Sequence, residues 1–72
     1  MKTAREMFAD LDYKLVINDE EHIIYVYIDN SDLDICFHKK YKCVSGVPTY
    51  DYFLDVELLK AVTKQFEELG WL

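Results

Sequence analysis

His22-Ile23-Ile24-Tyr25-Val26-Tyr27-Ile28, then Asp29-Asn30-Ser31-Asp32, then Leu33-Asp34-Ile35-Cys36-Phe37-His38 is the stretch whose reading decides the fold. Its two flanks are rich in β-branched and aromatic residues, and the four residues between them bond their own backbone readily. The stretch therefore reads as two antiparallel strands joined by a turn. Upstream, Tyr13-Lys14-Leu15-Val16-Ile17 is a further strand, connected through the turn-like Asn18-Asp19-Glu20-Glu21. Downstream, Tyr41 to Ser45 is a shorter fourth strand. The four form a meander of hairpins.

The period changes from two to 3.6 at both ends. Thr3-Ala4-Arg5-Glu6 fits a capping box, in which the Thr3 hydroxyl accepts from the Glu6 amide and Glu6 reaches back to the Thr3 amide. Ala4, Met7, Phe8 and Leu11 then recur at helical spacing. A helix this short is not stable alone and must dock. Asp55 is placed to cap a second helix, whose apolar stripe is Leu58, Leu59, Val62, Phe66 and Leu69. On its wet side, Lys64 is spaced to pair with Glu67 or Glu68. Gly70 stands at the C′ position of a Schellman ending, with Trp71 set to pack on Phe66. Pro48 cannot donate to a ladder, so Val47 to Phe53 reads as irregular or as an edge extension.

The predicted fold is α+β. A short N-terminal helix, a three- to four-stranded antiparallel meander and a C-terminal helix on one sheet face make a single domain over residues 1–72. With four-residue loops at the first two turns, Ile28 faces Leu33, Val26 faces Ile35, Ile24 faces Phe37 and Leu15 faces Ile24. This register gathers the strongest apolar residues on one side, the core. Lys14, Val16, Ile23, Tyr25, Tyr27, Asp34, Cys36, His38, Tyr41 and Cys43 then share the other. A wet face should be mostly polar, and tyrosine suits interfaces because an apolar ring carries a polar tip. Val16, Ile23, Tyr25, Tyr27, Cys36, His38, Tyr41 and Cys43 are accordingly the candidate partner or dimer interface. Two plainer readings remain open: the first helix covers this face, or the tyrosines stand half-exposed in a monomer.

Length and composition bound what this domain does. A 72-residue chain has room for one thin core. With 51% hydrophobic and 15% aromatic residues it is ordered, because disordered chains lack these types. The net charge of −6 repels phosphate backbones and anionic lipid, which argues against nucleic acid and membrane surfaces as partners. Lys39-Lys40-Tyr41-Lys42 is too short a basic run to change that. No signal-peptide pattern opens the chain and no apolar run is long enough to span a bilayer. Two cysteines make no disulfide framework, so a reducing cytoplasmic location in the host cell is expected.

Candidate chemistry is sparse. With a turn centred on Lys39-Lys40, Cys36 lies opposite Cys43, and both share a face with His38. Zinc wants four thiolate or imidazole ligands in a tetrahedron, and a fourth is missing because this register puts His22 on the core side. Packed free thiols are the expectation, with no metal and no cofactor. The run Asp29 to Asp34 lacks the glycine and the glutamate of a calcium loop. No glycine-rich loop or nucleophile motif is present, and so small a chain has little volume for a water-excluding catalytic pocket. The protein is not expected to be an enzyme.

Two segments carry a resemblance. Thr3-Ala4-Arg5-Glu6-Met7-Phe8 with Leu11 and Tyr13 is one. Glu57-Leu58-Leu59-Lys60-Ala61-Val62, with Lys64-Gln65 and Glu67-Glu68-Leu69-Gly70-Trp71, is the other. Together they resemble small proteins encoded by phages and prophages of Firmicutes, over essentially the whole chain. The shared motifs are structural and carry over no site residue. What the resemblance implies is context: a non-enzymatic accessory protein acting on host machinery, anti-phage defence included. The leading expectation is an inhibitor or modulator of a host protein. The alternatives are a sponge for a nucleotide-type small ligand, held between stacked tyrosines at a dimer interface, and a structural homodimer with no host target.

Overall fold

The computed structural model describes residues 1–48 and 55–72. Helix α1 spans Ala4–Asp10, strands β1 to β4 span Tyr13–Asn18, His22–Tyr27, Asn30–His38 and Cys43–Ser45, and helix α2 spans Val56–Glu68. The sheet is antiparallel in the order β1-β2-β3-β4. Both helices lie on one face of it, so the domain has two layers. The expectation for residues 49–53 lies outside the described residues. None of the described helices is long and apolar enough to cross a membrane.

The helix ends follow their local chemistry. The Thr3 hydroxyl accepts from the Glu6 amide at 3.2 Å, and the Glu6 carboxylate accepts from the Thr3 amide at 2.9 Å. The Thr3 amide first, then the Thr3 hydroxyl, hold the Glu6 carboxyl below its ordinary range. Asp55 caps α2 by accepting from the amides of Glu57 and Leu58 at 2.8 and 3.2 Å. At the other end Gly70 has φ +75°. The Gly70 amide donates to Glu67 O at 3.0 Å and the Trp71 amide to Phe66 O at 2.9 Å, the two bonds of a Schellman ending. The Trp71 ring lies 5.3 Å from that of Phe66. Lys64 is 4.0 Å from Glu67. One member of the expected stripe, Leu59, is exposed; Ala61 and Gln65 are buried with Leu58 and Val62 in its place. The two helices are tied by the Ala4 amide, which donates to the Glu68 carboxylate at 2.7 Å.

The strand register differs from the expected one, and the difference turns β2 over. Ile23 pairs with Phe37, Ile24 with Cys36, Tyr25 with Ile35 and Val26 with Asp34. Each partner is one residue short of the predicted one, and a one-residue slip moves every side chain of a strand to the opposite face. The cause lies in the turn. Tyr27 pairs with Asn30, so the chain reverses through Ile28-Asp29 alone, and Ser31, Asp32 and Leu33 bulge from β3 before Asp34 resumes the ladder. Ile28 and Leu33, expected to face each other in the core, are both exposed.

Ile23 and Tyr25 therefore belong to the core rather than to an interface. They pack with Phe8, Tyr13, Ile35, Phe37, Leu58, Ala61 and Val62, while Tyr27 and Leu15 pack against this cluster half-buried. The Phe8 and Tyr25 rings stack with centroids 4.1 Å apart and planes at 23°. Phe37 stands edge-on to Phe8, Tyr25 and Phe66 at 6.1, 6.2 and 5.8 Å. An aromatic ring buries more area than a branched aliphatic side chain, so this register outweighs the aliphatic one. It also requires the Tyr25 hydroxyl to find a partner. That partner is Gln65 on α2, whose Oε1 accepts at 2.6 Å. Burial first, then the Glu68 carboxylate, pushes the Tyr25 phenol up to about 12, and Arg5 opposes the shift.

Candidate functional site on the uncovered sheet face

With both helices on one face, the other face has no element packed over it among the described residues. The hairpin β1-β2 supplies one half of it. Asp19 Oδ1 accepts from the amides of Glu21 and His22 at 2.9 and 2.8 Å, and the Asp19 amide donates to His22 O at 2.9 Å. This Asx turn holds the Asp19 carboxyl below its ordinary range. It also fixes His22 as the first residue of β2, directly opposite His38. From His22 the alternation carries Ile24 and Val26 onto the uncovered face, where they are half-buried. In β1 the register shifts between Leu15 and Ile17, with Val16 as the extra residue. Val16 and Ile17 are 47% and 41% exposed, which adds them to an apolar strip with Ile24 and Val26.

Strands β3 and β4 supply the other half, which is sulfur and imidazole rather than hydrocarbon. Cys36 pairs with Ser45 and His38 with Cys43, correcting the expected pairing of Cys36 with Cys43. Both thiols are free; Cys36 is half-buried and Cys43 exposed. Burial, then the carboxylate of Asp34 and the neighbouring Cys43 and Asp19, pushes the Cys36 thiol up. Its Sγ lies 3.9 Å from His38 Nδ1, and His38 Nε2 lies 2.9 Å from Ser45 Oγ. The His22 and His38 rings meet edge to face at 5.4 Å and 79°. One ligand atom from each of His22, Cys36 and His38 lies within 4.8 Å of the other two. His22, expected on the core side, stands instead on the uncovered face with Cys36 and His38.

The predicted interface residues thus separate. Val16, Cys36, His38 and Cys43 are on or beside the uncovered face. Ile23 and Tyr25 are inside, and Tyr27 is half-buried with its ring 5.2 Å from Tyr13. Tyr41 is 72% exposed in the β3-β4 turn, with Lys40 Nζ 5.5 Å from its ring. Tyr25 is thus withdrawn from any ligand on this face, whereas Tyr41 with Lys40 stays exposed. Ile17, Ile24, Val26, His22 and Ser45 were missed. The start of β2 at His22 was read from the sequence; its face was not, because that depends on the reversal at Ile28-Asp29.

A second depression, of about 560 Å³, lies on the outer side of the helix pair, over Met1, Met7 and Leu59. Its lysines are already matched. Lys2 is paired with Asp10, Lys60 with Glu57 at 3.4 Å and Lys64 with Glu67 at 4.0 Å. An anionic ligand there would have to displace three carboxylates, so the sheet face is the stronger candidate.

No family model, no curated protein and no solved structure matches this chain.

Proposed function

We propose that this protein is a phage-type accessory protein that works by binding, not catalysis. In this reading the uncovered sheet face docks onto a host protein whose contact surface is apolar at its centre and basic at its rim. The observation that carries the reading is the strip of Val16, Ile17, Ile24 and Val26, apolar and with no element packed over it among the described residues. Contiguous apolar surface left open on a small domain is where partners bind. Charge supports the choice of partner. Asp19, Glu20 and Glu21 stand at one end of the strip with Lys39 beside them, Lys14 and Asp34 flank Val26, and Asp29 and Asp32 lie in the turn beyond, so acidic groups outnumber basic ones around it. A second copy would bring these like charges and a net charge of −6 against their equals, whereas a basic rim would be attracted.

The test is recovery of the complex from a Firmicute host, identification of the bound mass by native mass spectrometry, and affinity measurement on the purified pair. Ile24→Asp places an unpaired charge in the centre of the contact and is expected to weaken binding by roughly 100-fold or more. Leu59→Asp, on the exposed side of α2, is expected to leave it unchanged, and added salt to weaken it through the rim. A partner whose affinity is indifferent to Ile24→Asp overturns the proposal, as does recovery of a bare homodimer.

A further inference from the structure

We propose that His22, Cys36 and His38 form a binding site for a zinc-class cation, with three protein ligands and a fourth tetrahedral position open to solvent or to an added ligand.

The backbone brings the three together. His22 and His38 are direct partners across the β2-β3 ladder, and Cys36 stands two residues before His38 on the same face. Their ligand atoms lie within 4.8 Å of one another. Zinc-to-nitrogen and zinc-to-sulfur bonds of about 2.0–2.1 and 2.3 Å set tetrahedral edges of roughly 3.3–3.7 Å. The Cys36 Sγ to His38 Nδ1 separation of 3.9 Å is already close to such an edge. The other separations are at most 4.8 Å, so those ligand atoms must approach by up to about 1 Å to reach such an edge.

Ser45 supplies the second argument. Metal-binding histidines almost always use one ring nitrogen for the metal and donate from the other to a fixed oxygen. His38 has this division. Its Nε2 is 2.9 Å from Ser45 Oγ on β4, while Nδ1 is turned to Cys36. In the tautomer that carries its ring proton on Nε2, toward Ser45 Oγ, the Nδ1 lone pair faces Cys36 and is available to a cation. Ser45 is the register partner of Cys36, so one strand pairing positions both the sulfur ligand and the oxygen that orients the imidazole.

The donor set selects the metal class. One thiolate and two imidazoles suit borderline and soft ions and exclude calcium and magnesium, which want oxygen. The net charge of −6 attracts a cation, and binding would release the Cys36 thiol proton. All three ligands are half-buried, which partly shields the site while leaving one side reachable. The inference stands on these residues alone and does not depend on the partner proposed above.

The experiment is titration of the metal-free full-length protein with Co²⁺, read by absorption, followed by competition with Zn²⁺. The expected result is a tetrahedral cobalt spectrum with a thiolate-to-metal charge-transfer band, displaced by one equivalent of zinc. Cys36→Ser is expected to abolish the band, and His22→Ala to weaken binding by roughly 100-fold or more. Ser45→Ala keeps every ligand and is expected to weaken binding by about 10–100-fold. Cys43→Ser is expected to leave the spectrum and affinity unchanged. Circular dichroism of each variant confirms that it is folded. Absence of the charge-transfer band, its survival in Cys36→Ser, or its loss in Cys43→Ser alone overturns the site.

Discussion

Replacing Tyr25 with Phe removes one oxygen and tests the whole arrangement of the sheet. The Tyr25 side chain is 2% exposed, and its hydroxyl donates to Gln65 Oε1 at 2.6 Å from β2 to α2. In Tyr25→Phe the ring still stacks on Phe8, so packing is kept. What is lost is the donor to a carbonyl on a residue only 5% exposed. Leaving such a buried acceptor unpaired costs about 1–3 kcal/mol. For a domain of this size each kilocalorie lowers Tm by roughly 4–8 °C, so a mid-range loss of about 2 kcal/mol is about 8–16 °C. The second half of the test is Gln65→Leu in the Tyr25→Phe background. Replacing both partners with apolar groups leaves nothing unsatisfied, so the double variant is expected to regain most of the loss. Urea unfolding of the four proteins, with the m-value checked for constancy, measures the coupling. A tyrosine on the wet face would tolerate loss of its hydroxyl within about 0.5 kcal/mol. If Tyr25→Phe is that mild, the reasoning about which face β2 presents is refuted.

Three further outcomes follow from the same structure. A Cβ at Gly46, where φ is +80°, would sit 2.0 Å from Asp34 O; Gly70, at φ +75°, has open space around it. Chemical denaturation is expected to show Gly46→Ala costing more than the 1–3 kcal/mol typical of backbone strain alone, and Gly70→Ala only about 1 kcal/mol. Asp55→Ala removes the acceptor for two amides of α2 and is expected to cost about 1 kcal/mol, read from the same unfolding curves. Stability has a defined alkaline limit. The Tyr25 phenol is raised to about 12 from 10.0, so its contribution is complete below pH 10 and is lost as pH rises toward 12. Tyrosinate absorbance followed together with unfolding checks this. On the acid side, Glu6 and Asp19 are held below their ordinary 4.5 and 3.8. What they add is present above those values and is lost as pH falls through the lowered ones.

Local chemistry was legible in the sequence wherever the responsible residues are neighbours. Thr3 with Glu6, Asp55 with Glu57 and Leu58, and Gly70 with Trp71 close their bonds within a few residues, and both helices end as their caps predict. The strand content and the antiparallel order were legible for the same reason, since the period-two runs and their turn residues are local. The face of β2 was not. Ile23, Ile24, Tyr25, Val26 and Tyr27 are apolar on both sides, so alternation alone does not say which side goes in. The choice depends on a two-residue reversal at Ile28-Asp29, on three residues bulging from β3, and on a glutamine forty positions away that receives the Tyr25 hydroxyl. Those are tertiary facts, and a one-residue slip in the first of them was enough to turn the strand over. The candidate site inherited the error. Cys36, His38 and Cys43 lie in β3 and β4, whose exposed side was read correctly. His22 and the strip of Ile24 and Val26 lie in β2, so they were assigned to the core.

The orientation of β2 underlies both the docking strip and the cation site, and one measurement reads it directly. Nuclear Overhauser contacts among the aromatic and histidine ring protons in solution report which rings share a face. The account requires strong contacts between Tyr25 and Phe8, whose centroids are 4.1 Å apart, and contacts between the His22 and His38 rings on the other side of the sheet. Ring contacts from Tyr25 to His38 in place of Phe8 would contradict it.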